Sequence, residues 1–215
     1  MTGTFWAEVG LIERKAVQPE TANISVDDSV LVEQCRQGDS EATERLIVKY
    51  QNRIYNAVLK ICANTDDAAE LTQDTFVKII ENIDKFESRS SFYTWAFRIA
   101  VNLTLNYCQR EAKLRFRSLD AEEDDHAKQV LKRYLTDDAS PDPAAVAQNK
   151  ELCETVVKAL GKLDDEQRAV VVLRDIEGMN YSQIAEVLEI ELGTVKSRLS
   201  RARGELREIM EAILR

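Results

Sequence analysis

The stretch NYSQIAEVLEIELGTVKSRLSRARGEL, from Asn180 to Leu206, carries the residue types best suited to recognising a polyanion. Ile184, Ala185 and Leu188 share one face of a first helix, Ile190 plugs a turn, and Val195 and Leu199 fall on the buried face of a second helix. Ala185 is small where the second helix must cross closely. Thr194, Lys196, Ser197, Ser200, Arg201 and Arg203 are left as the wet residues. Short hydroxyls and arginine forks read base edges in a major groove, while further cations pair with phosphates. Gly193, at the helix entrance, lets backbone amides approach a phosphate. The spacing predicts a DNA-binding helix-turn-helix. Lys196, Ser197, Ser200 and Arg201 are expected at or beside bases, and Arg198 and Arg203 on phosphates or in packing. The competing reading is a basic helix that is merely solvated.

Two further helix faces could do work. After Ser91, the residues Trp95, Arg98, Asn102, Asn106 and Gln109 form one stripe, with Ala96, Ile99, Ala100, Leu103 and Tyr107 opposite. Asparagine is a mediocre helix former, so two on one face need a reason. Amides can hydrogen-bond the edges of unpaired bases, and Phe92, Tyr93 and Trp95 offer rings on which bases stack. The same aromatics could equally be core. Upstream, Glu70, Asp74 and Glu81, with Gln73 beside them, form an acidic stripe, while Ala69, Phe76, Ile79, Ile80 and Ile83 are expected to turn inward. Such a stripe is either a solvated face or a docking surface.

Positioning these faces calls for helices throughout. Apolar residues recur at helical spacing with no convincing strand alternation, so the expected fold class is all-α, in two small helical domains. Helices are expected from Asp27 or Asp28 to Gly38, from an Asp39 or Ser40 cap to about Ala63, from Asp67 to Asp84 opened by an Asp67/Glu70 variant of the capping box, and from Ser91 to as far as Arg117. Four more follow: about Asn149 to Gly161, Asp165 to Glu177, Tyr181 to Leu188, and Leu192 to Met210. The turn-rich DDASPDPAA, holding Pro141 and Pro143, marks the best domain boundary. The expected division is an N-terminal extension at 1–26, a domain at 27–117, an acidic linker at 118–148 and a second domain at 149–215.

Composition narrows the function classes. His126 is the only histidine among 215 residues, so neither a histidine triad nor a multi-histidine metal site can be assembled. No Walker-type or dinucleotide glycine motif occurs among the seven glycines. No catalytic residue, cofactor or metal is therefore assigned. Cys35, Cys62, Cys108 and Cys153 form no C-x-x-C pair and sit where helices want small apolar residues. They read as reduced core thiols, with a redox switch as the lesser alternative. No apolar run suits a signal peptide or a membrane span, so the chain is expected to be soluble and cytoplasmic, without direct membrane insertion.

The net charge of −9 hides its distribution. Lys85 to Arg117 holds seven basic residues against two acidic, and Leu192 to Arg207 holds five against one. Asp66 to Asp84 has six acids against one base, and Leu119 to Ala145 eight against three. The basic blocks coincide with the two candidate nucleic-acid faces, as replacing phosphate counterions requires.

LRDIEGMNYSQIAEVLEIELGTVKSRLSRAR resembles region 4 of bacterial sigma factors of the extracytoplasmic-function group related to sigma-E, and Asp66 to Tyr107 resembles region 2 of the same group. The resemblance implies a subunit that binds core RNA polymerase, directs it to specific promoters and melts the minus-ten region, in a stress response and under an anti-sigma factor that is often membrane-anchored. It implies that Asp67, Glu70, Leu71, Gln73 and Asp74 meet the clamp helices of the polymerase's largest subunit. It implies that Ser90, Ser91, Phe92, Tyr93, Trp95, Arg98, Asn102 and Asn106 bind and open the minus-ten element. Thr194, Lys196, Ser197, Arg198, Ser200, Arg201 and Arg203 would read the minus-thirty-five duplex. The partners implied are core polymerase, promoter DNA as duplex and opened strand, and an anti-sigma factor, with no small-molecule substrate. Glu189 stands where the family commonly has glycine, and Glu191 where it often has proline. The rival readings are a helix-turn-helix regulator acting without polymerase, which leaves the Trp95 to Gln109 stripe without a task, and a helical adaptor with negligible DNA affinity.

Overall fold

The computed structural model describes residues 21–117, 156 and 159–213, and every element among them is helical. In chain order these are α1 (Thr21–Arg36), α2 (Ser40–Cys62), α3 (Thr65–Glu81), a 3-10 turn (Ile83–Lys85), α4 (Phe92–Arg117), α5 (Asp165–Val171), a π-helical turn (Val172–Ile176), α6 (Tyr181–Leu188) and α7 (Leu192–Ile213). Among the described residues, no helix is long and apolar enough to cross a membrane.

Short-range chemistry sets the boundaries. Gly38, at φ 83°, follows α1, and the Asp39 carboxylate accepts from the Glu41 and Ala42 amides to open α2. Ala63 closes α2 in the left-handed region, at φ 59°. The next helix differs from expectation: the Asn64 side chain, not Asp67, caps it by accepting from the Asp66 and Asp67 amides. Helix α3 therefore starts at Thr65, ends at Glu81, and passes into the 3-10 turn before Asp84 is reached. Helix α1 begins at Thr21, earlier than the expected Asp27 or Asp28.

Helix α2 is central, packed against α1, α3 and α4. Leu46, Tyr50, Ile54, Ala57 and Ile61 are buried as their spacing requires. In α3 the inward face is rotated from the expected one. Ala69 and Ile80 are exposed, while Ala68, Leu71, Thr72, Thr75, Phe76 and Ile79 are buried. Threonine disguised this face: the Thr72 and Thr75 hydroxyls each donate to the carbonyl four residues back, at 2.6 Å, so a residue that reads as polar enters the core satisfied. In α4, Ala96, Phe97, Ala100, Val101 and Thr104 are buried, while Ile99, Leu103 and Tyr107 are half-buried.

In the C-terminal half, α7 packs on α5 and α6 through Val195, Leu199, Ala202, Leu206 and Met210. The two halves meet: α6 lies against α4, and α5 against α2 and α4. Cys35, Cys62 and Cys108 are half-buried free thiols. Cys153, His126, Pro141, Pro143 and the whole of 118–148 lie outside the described residues.

Candidate nucleic-acid interface

The turn between α6 and α7 is built by reciprocal capping and one strained residue. Asn180 and Gln183 form a capping box that starts α6. Glu189 ends it at φ 54°, ψ 41°, with its amide on the Ala185 carbonyl. That is the left-handed conformation for which glycine is the low-cost choice. Ile190 is half-buried against the core, and its amide also reaches the Ala185 carbonyl, at 3.1 Å. The tight turn sends α7 across α6 with Val195 and Leu199 inward.

This orientation leaves Lys196, Ser197, Ser200 and Arg201 exposed along one side of α7, with Thr194 half-buried at its start. Arg198 and Arg203 turn the other way and are engaged within the C-terminal half. Arg198 pairs with Glu166 at 2.6 Å, and Arg203 donates to both oxygens of Asp175. Of the seven α7 residues singled out from sequence, these two are tied into packing.

The α4 face is less open. Asn106 and Gln109 are exposed, Asn102 and Tyr93 half-buried, and Arg98 lies 4.0 Å from Glu189. Phe92 and Trp95 are 3% and 7% exposed and cluster with Phe86, the ring centroids 5.2 to 5.8 Å apart. Of the two readings left open for these rings, the structure has them as core, so they present no face to a base. Ser91 supports the start of α4, its hydroxyl accepting from the Thr94 amide at 3.1 Å. Ser90 is half-buried in the loop before it, where Ser88 adopts φ 55°.

On α3, Glu70, Gln73, Asp74 and Glu81 are exposed together and Asp67 is half-buried. Leu71, grouped with them from sequence, faces the core at 6% exposure. Its contribution to any docking surface is through packing.

Two residues that the sequence did not single out join the halves. Arg168, 7% exposed, donates to the carbonyls of Leu160, Gly161 and Leu163 within its own half and, at 2.5 Å, to that of Ile61 at the end of α2. Glu177 meets Arg53 and Tyr93 of the N-terminal half. The available signal was an arginine directly before the apolar run from Ala169 to Leu173, since a buried cation needs a built set of acceptors.

Comparison with known proteins bears on these surfaces. Residues 46–114 match the family model of sigma-70 region 2, and residues 153–206 that of sigma-70 region 4. The chain is 32% identical over 194 residues to the RNA polymerase sigma-H factor of Pseudomonas aeruginosa, covering 87% of this chain and 96% of that one. It is 30% identical over 187 residues to the sigma-E factor of Haemophilus influenzae, an extracytoplasmic-function protein, covering 87% and 97%. The fold is shared with the sigma factor RpoE of Bartonella quintana, solved in complex with the anti-sigma factor NepR, at a TM-score of 0.57, 22% identity, and coverage of 78% of this chain and 96% of that one. With both sigma regions present in order and relatives matched along nearly their whole length, the chain belongs to the sigma-70 family of RNA polymerase sigma factors, in its extracytoplasmic-function group.

Proposed function

We propose that the chain brings core RNA polymerase to a set of promoters by reading the minus-thirty-five duplex with α7 and capturing the opened minus-ten strand along α4. The observation that carries this reading is the sorting of α7: Lys196, Ser197, Ser200 and Arg201 face solvent together, while Val195, Leu199 and Ala202 bury the other side and Glu166 and Asp175 hold Arg198 and Arg203. A helix presented this way offers hydroxyls, a lysine and one arginine fork to base edges.

Along α4, Arg98, Asn102 and Asn106 supply a cation and two amides to an unpaired strand, and the loop at Ser90 and Ser91 lies at its start. Phe92 and Trp95 act by holding that loop and the first turn of α4 in place. Capturing an extruded base offsets unstacking that costs a few kcal/mol, so opening draws on binding rather than on hydrolysis. The exposed acids Glu70 and Asp74, with Gln73, form the face of α3 offered to the polymerase clamp helices.

The working division is a region 2 domain at 27–117 and a region 4 domain at 149–215, joined through 118–148. The Bartonella relative is held by an anti-sigma factor; an equivalent partner for this chain, released under stress in the cytoplasm, follows from that likeness. The test is transcription in vitro with purified core polymerase from the source organism, with and without the protein and with no other initiation factor. New start sites sharing upstream motifs support the reading. Specific duplex binding with no new transcripts favours a regulator that acts without this role.

A further inference from the structure

Helix α1 carries none of the residues expected to meet DNA or polymerase, yet its side chains reach both ends of the loop 86–91 that leads into α4. Arg36, its last residue, donates through Nε to the Ile83 carbonyl at 3.3 Å and through Nη2 to the Phe86 carbonyl. The Arg36 Nη1 lies 3.4 Å from the Glu33 carboxylate one turn back, which steadies the fork. Asp28, 3% exposed, serves the other end of the loop. It accepts from the Tyr50 hydroxyl, and the Lys49 ammonium lies 2.7 Å from its second oxygen. The buried Tyr50 ring stands 5.4 Å from Phe92 and 6.3 Å from Tyr93, the first two residues of α4. Phe92 in turn meets Phe86, so both routes from α1 converge on one aromatic group.

A buried carboxylate is costly unless it is paired, and apolar side chains would fill the same space without that cost. What the polar contacts add is direction. A hydrogen bond tolerates little misalignment, so Asp28 and Arg36, about 12 Å apart along the helix, fix how α1 sits against the 3-10 turn and the start of α4. Burial first, and the bond to Asp28 second, push the Tyr50 hydroxyl above its ordinary pKa of 10.0, so it remains a donor. Between the two anchored ends, Ser88 holds φ 55°, with Glu87 and Arg89 paired on either side of it at 2.7 Å. A left-handed residue other than glycine persists where its surroundings over-determine it.

We propose that α1 is a brace for the capture loop: Arg36, and Asp28 acting through Tyr50, are positioning residues that hold 86–91 in its strand-binding conformation before DNA arrives. The strand-binding part rests on the function proposed above; the bracing itself does not. Unstacking a base must be offset by the contacts that receive it, and a loop that ordered only on capture would add its own entropy to that cost. Ordering the loop beforehand removes the addition. The effect of α1 therefore falls on strand opening, and duplex reading by α7, which packs on α5 and α6, is left alone.

The test uses the full chain as wild type, Arg36→Met, Arg36→Lys and Tyr50→Phe, each shown to be folded by circular dichroism. Hydrogen exchange with mass spectrometry reads the order of 86–91 in the free protein. Arg36→Met is expected to exchange faster there and to match wild type in α7, while Arg36→Lys, whose ammonium can still reach one carbonyl, falls between. With core polymerase added, permanganate reactivity of minus-ten thymines should develop about 10-fold more slowly for Arg36→Met, the weight of one charge-assisted hydrogen bond. Anisotropy on a minus-thirty-five duplex should not change. Tyr50→Phe keeps the ring and loses only the bond to Asp28; it should loosen the same loop, and it carries the test if Arg36→Met does not fold. Unchanged exchange at 86–91 in the folded variants overturns the brace. Faster exchange with undiminished opening overturns its role in strand capture. A wild-type holoenzyme that opens no promoter counts against the minus-ten function, and the exchange alone then decides the brace.

Discussion

Arg203 of α7 donates through Nε, at 3.2 Å, and through Nη2 to the two oxygens of Asp175 in the π-helical turn, so a cation of α7 is committed inside its own half. Arg201, two residues earlier, is exposed. Of the phosphate and packing roles that the sequence left open for Arg203, the structure has packing. Arg203→Ala should lower stability by about 1 to 3 kcal/mol, since it leaves a partly buried carboxylate without its forked partner. Arg201→Ala should leave the melting curve unchanged and weaken binding to a minus-thirty-five duplex by about 1 to 3 kcal/mol. Denaturation and fluorescence anisotropy check the two; an equal loss on scrambled duplex reassigns Arg201 to phosphate contact.

The aromatic cluster predicts a second contrast. Phe92→Ala and Trp95→Ala each remove a ring from the packed group with Phe86, and should each cost about 3 to 5 kcal/mol of stability. Asn102→Ala, at a half-buried position on the α4 face, should cost little stability yet impair promoter opening. Permanganate reactivity of unpaired thymines, measured alongside thermal melts, distinguishes them. A Trp95→Ala protein that melts normally but cannot open promoters would return Trp95 to the base-stacking role.

Glu189→Gly should raise stability by about 1 kcal/mol, because the left-handed backbone no longer carries a Cβ. Loss of the Arg98 contact subtracts little, since the Glu189 side chain is 64% exposed and the groups are 4.0 Å apart. Urea denaturation of the two proteins provides the comparison. A fall in stability would mean that the carboxylate matters more than the strain.

Burial pushes the Cys62 thiol from its ordinary 9.0 to about 11 and the Cys108 thiol to about 12. The thiolate is the nucleophile, so both residues should alkylate slowly near neutral pH. Their rates should go on rising with pH beyond 9.0 towards those values, where the same cysteines in denatured protein have levelled off. Iodoacetamide labelling followed by peptide mass spectrometry across that range reads each site. Rapid labelling at neutral pH would reopen the redox reading.

Local periodicity revealed much of the helical framework and most of the α7 face, because helix register, caps and the Gly38 stop are decided by residues within a turn or two of each other. Asn64 took the capping role expected of Asp67 because either side chain can open a helix, and a start at Thr65 places Asp67 inside the first turn. The inward face of α3 was misjudged at Ala69 and Ile80 because Thr72 and Thr75 hide their hydroxyls against their own helix. Arg168 and Glu177 were invisible for a different reason. Their partners Ile61, Arg53 and Tyr93 lie about 80 to 125 positions away in sequence, and spacing carries no information at that range.

The most direct test of the account is transcription in vitro from a randomised promoter library, with core polymerase and wild-type, Lys196→Ala or Asn102→Ala protein, reading start sites and upstream sequence together. The account predicts that Lys196→Ala relaxes sequence preference in the minus-thirty-five element alone, and that Asn102→Ala relaxes or abolishes it in the minus-ten element alone. Loss of preference in both elements by either variant, or in neither, would contradict the assignment of α7 and α4 to separate promoter elements.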